Sequence, residues 1–451
     1  MNILIVHEVD WLKKITYEIH HLSEIFSLKG HNVYAVDIPD PGLFSLKKEI
    51  WKNIESYNRI YENASVKIFR TPIIPIRGLN RISAYFTSKR LIKKILKEKN
   101  IDIVFVYSIV NNIQATIHAC KEYNIPMIHR TFDIVHEIIL EKYLQKKVLK
   151  IEKESYPKFD EVIANTPYMK TWAEEMGGKN VIVVEQGVDP SIMQNLPKDN
   201  SLMKKLNITD DDKIVMYLGS ILSHSGLEVI LDAIPRILKE IPNFKLLVVG
   251  DGSHLLSLKQ QAKQLGINEK IVFTGFVPYK EVPKFCSLAN LCINSFRIND
   301  MTDKLSPVKI FDFMSCAKPV IATPLKGMLY DFPIDSETII YAELDDFEQK
   351  IISLLKNEHL EKIGNRSRTF VEKYFTWEIV AQKMLNEFEK MIYFSPFGIS
   401  IIKSSRTSYL EGLPKFSNKS SFPSKVDSTN SLNLELFLKF SGFINLASKE
   451  T

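Results

Sequence analysis

Residues 245–266 read KLLVVGDGSHLLSLKQQAKQLG, and the two halves of this stretch obey different periodicities. KLLVVG is a short unbroken apolar run that stops at Gly250-Asp251-Gly252, as a strand buried on both faces does. HLLSLKQQAKQLG returns apolar residues to one side every three or four positions with lysine and glutamine between, which predicts an amphipathic helix. A buried strand followed by a covering helix is one repeat of a parallel α/β sheet.

The same repeat continues in both directions. KIVMYLG leads into GLEVILDAIPRILKEI upstream; downstream, IVFTG leads into VPKFCSLA, and LCINSF into SPVKIFDFMSCA and PVIATP. A polar stretch over 198–212 precedes this series, and before it the alternation already runs from the first residue. There NILIVH, NVYAVD, IDIVFVY, PMIHR, EVIAN and VIVVE read as strands, and the segments between them, including a basic one over 82–99, read as helices. The expected fold is α/β, with two doubly wound Rossmann-like lobes in series and a cleft between them. The expected divisions are a first lobe over 1–200, a second over 201–375, a closing helix over 376–394, and a serine-rich, flexible tail over 395–451.

Composition narrows the functional classes. With 45% apolar and 25% charged residues in 451, disorder throughout is excluded. A net charge of +6 over this length, with no nucleic-acid signature, argues against a nucleic-acid partner. No apolar run nears the roughly 20 residues of a spanning helix, and MNILIV meets His7, Glu8 and Asp10 at once, so it reads as a strand and not as a signal peptide. Four cysteines without a CxxC pair suit a reducing cytoplasm and predict neither disulfides nor a zinc module.

The chemistry concentrates in residues 306–324, SPVKIFDFMSCAKPVIATP. Ser306 reads as a helix N-cap and Pro307 as the first helical residue, which leaves free backbone donors at a positive dipole end suited to phosphate. Lys309 and Asp312 lie three apart on one polar face, while Ile310, Phe311 and Met314 face the core. A diphosphate and a ribose diol would suit the pair; the bland alternative is an exposed helix pair worth about 0.3–0.5 kcal/mol.

This segment resembles the donor-site helix of the glycosyltransferase family 4 enzymes, retaining transferases of the GT-B fold. VVGDG, IVFTGFVP, EVPKF, EQGVDP, MNILIV and LKGHNVYAVD are similar to the family in order and spacing, over about residues 1–393. The resemblance implies transfer of a sugar from a UDP-, GDP- or ADP-sugar to a glycan, lipid-linked or small-molecule acceptor with retention of configuration. It implies no further cofactor and no metal. Asp312 would hold the ribose hydroxyls, Ser306, Pro307 and Lys309 the diphosphate and sugar, and Phe273 to Phe276 the base, with Gly219, Ser220, Gly250, Asp251 and Gly252 in donor-facing loops. The acceptor would lie on the first lobe, where Asp133 follows a strand end.

Three positions depart from the family pattern. Lys304 stands where a second glutamate is common, and Ser220 and Ser225 stand where many members place arginine and lysine on the diphosphate. Expected substitutes are Arg297, Lys304 and Lys309, with Lys13 and Lys14 from the first loop as phosphate or acceptor-side candidates. Ala317 takes a position that is often glycine, at a left-handed helix end. These departures also allow a nucleotide-sugar-binding protein without turnover. A nicotinamide dehydrogenase is disfavoured, because HEVDWLKK follows strand one in place of GxGxxG.

Two basic helical stretches stand out, with Arg81, Lys89, Arg90, Lys93, Lys94, Lys97 and Lys99 in one and Lys142, Lys146, Lys147, Lys150 and Lys153 in the other; the first, interleaved with apolar residues such as Ile82 and Phe86, suits an anionic membrane surface, and the bland alternative is a solvated helix face. The expected location is therefore cytoplasmic, peripheral on the inner face of the cytoplasmic membrane.

Overall fold

A computed structural model describes residues 1–42, 52–76, 79–107, 110–139 and 142–394, and the expectations for the tail over 395–451 fall outside these residues. The first sheet contains β1 (Asn2–Val6), β2 (Asn32–Asp37), β3 (Ile54–Tyr57), β4 (Val66–Arg70), β5 (Ile103–Val106), β6 (Met127–Thr131), β7 (Glu161–Ala164) and β8 (Val181–Val183). Their order is β3-β4-β2-β1-β5-β6-β7-β8, parallel except for the antiparallel edge strand β3. The second sheet contains β9 (Lys213–Leu218), β10 (Phe244–Val249), β11 (Ile271–Gly275), β12 (Leu291–Asn294), β13 (Val320–Ala322) and β14 (Ile340–Tyr341), in the order β11-β10-β9-β12-β13-β14.

Both sheets are doubly wound, so the strand order reverses between β1 and β5 in one and between β9 and β12 in the other. Helices cross to opposite faces at such a point and leave a crevice at the strand C-termini, where ligands bind in this class of sheet. The central strands are buried on both sides: Leu4, Val104, Val215 and Leu246 have no exposed surface. Strands β3 and β4 do not stand out in the sequence, because IESY is a polar edge and VKIFR alternates over only five residues.

The chain crosses between the lobes twice. After β8 it enters the second lobe through Gln186–Asp189, and the helix Trp377–Phe394 returns to the first. There Trp377, Met384 and Phe388 share a core with Ile3, Ile5 and Phe26. The crossings are bonded to each other: Val188 N–H donates to the Phe375 carbonyl at 2.8 Å and Trp377 N–H to the Val188 carbonyl at 3.1 Å.

The basic stretch of the first lobe is the helix Leu79–Glu98, with Lys89, Arg90, Lys94 and Lys97 exposed. Arg81 departs from the expected solvated face. It is buried and its guanidinium donates to the Glu8 carbonyl. No helix among the described residues is long and apolar enough to cross a membrane.

Candidate functional site

The loops leaving β9, β10 and β11 form one hydrogen-bonded surface at the crevice. Gly219 N–H donates to the Val249 carbonyl at 2.9 Å, and Gly250 N–H to the Gly275 carbonyl at 3.0 Å. Gly250 has a φ of 142°, and a Cβ there would lie 1.9 Å from the Gly219 carbonyl oxygen, so only glycine lets the two loops cross. Ile221 N–H donates to the Asp251 carbonyl at 2.9 Å and His254 N–H to the Ile221 carbonyl at 3.0 Å. The Asp251 carboxylate accepts from Gly252 N–H and serves its own turn.

The helix Val308–Ser315 rises to this surface and corrects the expected start by one residue. Pro307 is the N-cap, extended at φ −67° and ψ 127°, and its side chain makes no capping bond. Ser306 is therefore not the cap. It is 2% exposed and faces the Asp331 carboxyl, whose pKa burial pushes up to about 8.

Lys309 and Asp312 do not share an exposed polar face. Residues from Ile310 to Ser315 are all buried, so both functional groups enter the protein in different directions. The Lys309 ammonium lies 4.1 Å from the Tyr217 ring centroid and 4.3 Å from that of Phe296, beside Gly219. It is buried and meets no hydrogen-bond acceptor among the described residues, although part of its stem is exposed. Burial without a counter-charge drives its pKa down to about 7. Asp312 is 5% exposed, and Tyr279 Oη donates to its carboxylate at 3.4 Å. Burial raises its pKa to about 7 against that hydrogen bond.

Most of the other expected cations are engaged elsewhere. Arg297 pairs with Glu228 at 2.6 Å, and the Lys304 ammonium donates to the Asp300 carbonyl at 2.5 Å. The Lys304 carbonyl accepts from Thr166 Oγ1 of the first lobe at 3.1 Å, so Lys304 joins the lobes through its backbone. Ser225 is buried, with its carbonyl bonded by Ser295 Oγ at 2.7 Å, and the Ser220 carbonyl accepts from Tyr217 Oη at 2.8 Å. Both serines therefore build the loop. Phe273 is half-buried under the Lys259 ammonium at 5.7 Å, and Phe276 is 57% exposed.

Across the cleft, the Lys13 ammonium donates to the Asp40 carbonyl at 2.5 Å. Lys14 lies near Asp133; burial lowers the pKa of Lys14, and burial raises that of Asp133 to about 6, each opposed by the other's charge. Beneath them, Arg130 makes two bonds to the Glu18 carboxylate at 2.7 and 2.9 Å. Among the described residues no group of three or more histidine, cysteine or acidic side chains could hold a metal ion.

Tyr217, Phe296, Tyr279 and His224 went unnoticed in the sequence. The available signal was an aromatic or polar residue at a strand end or in the loop after it, since those are the positions that face a doubly wound sheet's crevice.

Comparison with known proteins gives two adjoining matches. The family model described as glycosyl transferases group 1 matches residues 198–370, and the model described as Glycosyltransferase Family 4 matches residues 19–192. Alpha-monoglucosyldiacylglycerol synthase of Streptococcus pneumoniae is 26% identical over 269 residues, 57% of this chain and 59% of that protein, so the match spans less than two thirds of the relative. Sucrose-phosphate synthase from Thermosynechococcus elongatus has a similar fold, with a TM-score of 0.68, 16% identity, and coverage of 88% of this chain and 100% of that one. HepE of Anabaena in complex with UDP aligns with a TM-score of 0.61 at 15% identity, over 86% of this chain and 100% of that one.

Proposed function

The chain belongs to the family 4, group 1 glycosyltransferases of the GT-B fold, and on that premise we propose that it transfers a sugar from a nucleotide-sugar to a lipid-linked or glycan acceptor with retention of configuration. The observation that carries this reading is the buried Lys309 ammonium, held at Gly219 with no hydrogen-bond partner among the described residues, on the same helix as the buried Asp312. HepE, whose solved structure shares the fold, is in complex with UDP, which supports a nucleoside-diphosphate donor.

In this reading the donor's diphosphate lies over the Gly219 loop against Lys309, and the ribose diol hydrogen-bonds to Asp312. The base lies between the Gly250–Gly252 turn and Phe273 to Phe276. The bond from the sugar's anomeric carbon to the diphosphate oxygen breaks while a bond to the acceptor oxygen forms on the same face. The acceptor's proton passes to the departing phosphate oxygen, so no protein nucleophile is needed. The protein supplies orientation and charge stabilisation, with Lys309 beside the negative charge that develops on the leaving group. In this reading the acceptor binds beside Lys14 and Asp133. No metal enters the proposal.

Thermal-shift measurements with UDP-, GDP- and ADP-sugars test the donor site. One of them should raise the melting temperature of the wild-type protein, and Asp312→Ala should abolish that rise; equal rises in both proteins would exclude Asp312 from the site.

The acceptor reading rests on surface character. Ile74, Ile76 and Phe86 are exposed large apolar residues beside Lys89, Arg90, Lys94 and Lys97. Each basic residue near an anionic bilayer contributes about 1 kcal/mol, and the apolar side chains add insertion. The diacylglycerol in the name of the Streptococcus pneumoniae relative fits a lipid acceptor. Flotation with anionic but not neutral liposomes is expected, and weaker flotation for Phe86→Ser with Lys94→Glu. Equal recovery with both liposomes would remove the membrane part.

A second reading, donor binding without turnover, is favoured by the neutral Ser220 and Ser225. Retained nucleotide-sugar binding with neither hydrolysis nor transfer across a panel of lipid and glycan acceptors would select it.

A further inference from the structure

The cations at the donor crevice are unusual in kind. Arg297 is neutralised by Glu228, Lys304 is turned to a backbone carbonyl, and the Asp251 carboxylate is spent on its own turn. What remains beside Gly219 is Lys309, with His224 packed on an aromatic ring that Lys309 also meets. The His224 ring packs edge-on against Phe296 with centroids 5.1 Å apart, and the Lys309 ammonium lies 4.3 Å from the centroid of that same ring. His224 thus shares Phe296 with the ammonium, and its own carbonyl is fixed by Arg297 N–H at 2.9 Å. His254 enters from the next loop, tethered to Ile221 by its backbone amide at 3.0 Å.

We propose that His224 completes, with Lys309, a titratable cation cluster that binds the donor's diphosphate, so that donor affinity depends on protons taken up by the protein. The inference rests on the donor-site reading given above and adds one residue and a coupling to it.

The physical argument starts from the charges facing the cluster. From the β9 loop come His224 and the neutral Tyr217 hydroxyl, and from the β10 loop His254 and Asp251. From the β12 loop comes Arg297, already paired with Glu228 of the helix after the β9 loop, and Asp312 is turned to Tyr279. Among the described residues no carboxylate bonds the Lys309 ammonium, and its charge works against the protonation of His224. His224 is held below its usual pKa by burial first, then by Lys309 and by His254, and Lys309 is lowered to about 7 by burial. At neutral pH the unliganded cluster is therefore undercharged.

A diphosphate placed among these groups reverses the balance, because a nearby anion favours the protonated forms. The two aromatic faces at 4.1 and 4.3 Å add an attraction for the ammonium only when it is charged. By linkage, a ligand that raises the pKa of a group takes up protons on binding and binds more weakly as pH rises. Arginine cannot act in this way, since it stays charged throughout the range.

Calorimetric titration of UDP-glucose, GDP-mannose and ADP-glucose into the full-length protein tests this, at about pH 6.5 and about pH 8.5 in buffers of different ionisation enthalpy. Both phosphates of these probes are esterified and lack the ionisation near pH ~6 of a phosphate monoester, so proton uptake reports the protein. Net uptake is expected, with affinity roughly tenfold weaker at the higher pH. Lys309→Arg should remove most of the alkaline loss, and His224→Gln should lower affinity and proton uptake at the lower pH while the circular dichroism spectrum and melting temperature stay unchanged. If that variant does not fold, His224→Asn carries the same expectation. Binding without proton uptake and with equal affinity at both pH values overturns the inference and leaves the donor site standing, as does a His224→Gln protein that binds like wild type. If no probe binds at either pH, the donor-site reading falls and the inference falls with it.

Discussion

Ala317 is a single residue whose backbone conformation sets a stability cost. It follows the helix Val308–Ser315 at φ 54°, in the left-handed region where a Cβ crowds the following carbonyl. Ala317 N–H donates to the Met314 carbonyl and Lys318 N–H to the Phe313 carbonyl, both at 2.9 Å, which is the bonding pattern of a Schellman ending. The chain is held there because Gly364 packs against the Ala317 carbonyl, where a Cβ on Gly364 would lie 2.1 Å away. Ala317→Gly is expected to raise unfolding stability by about 1 kcal/mol, measured by urea denaturation. An unchanged midpoint would mean that the buried methyl contributes as much as the strain removes. The sequence suggested this strain, because an alanine stood where a helix that precedes KPVIATP needs a left-handed residue. It did not indicate that Lys309 and Asp312 would part company, since their burial depends on Tyr217, Phe296 and Tyr279 from other strands.

At the scale of elements, the crevice of the second lobe depends on two strand-end loops crossing without side chains. A methyl at Gly250 would meet the Gly219 carbonyl at 1.9 Å, and backbone cannot swing aside as a flexible side chain can. Gly250→Ala is expected to cost about 1–3 kcal/mol and to abolish the thermal shift given by the nucleotide-sugar that binds the wild type. Gly266, where an added Cβ meets nothing within 4 Å, provides the control. Gly266→Ala carries left-handed strain of about 1 kcal/mol but should keep the ligand-induced shift. Loss of that shift in both variants would make the effect one of general stability. The glycines were visible in KLLVVGDG as turn residues, but the turn alone gave no sign of the Gly219 loop beneath it.

Across the whole molecule, Arg130 links the body of the first lobe to the crossing into the second. Its guanidinium is fully buried and bonds the Glu18 carboxylate, the Val184 carbonyl at 2.7 Å, the Ala164 carbonyl at 3.2 Å and the Glu185 carbonyl at 3.3 Å. The helix Glu18–Leu28, the ends of β7 and β8, and the first crossing therefore share one cation. Beside it, His21 stacks on Trp377 of the returning helix at 5.3 Å and meets Tyr279 of the second lobe edge-on at 5.7 Å. Glu18→Gln leaves the buried guanidinium without its counter-charge and should cost about 3–5 kcal/mol in chemical denaturation. Lys356→Ala, at an exposed pair with Glu240, should leave the midpoint in place. Similar effects from both would remove Arg130 from its linking role.

The sequence by itself determined the two α/β series and the buried central strands, and it singled out residues 306–324 as the segment proposed to face a donor. These follow from local periodicity, from proline and glycine placement, and from apolar runs too short to be anything but strands or turns of helix. The polar edge strand β3 and the five-residue β4 escaped, because a short alternating run reads equally well as loop. Only the tertiary structure decided which cations stay free for an anion. Lys309, His224 and Phe296 come from separate elements, brought to the C-terminal ends of the central strands by crossover connections. The charge states of Lys309 and His224 are set there by desolvation and by neighbours that are distant in the chain.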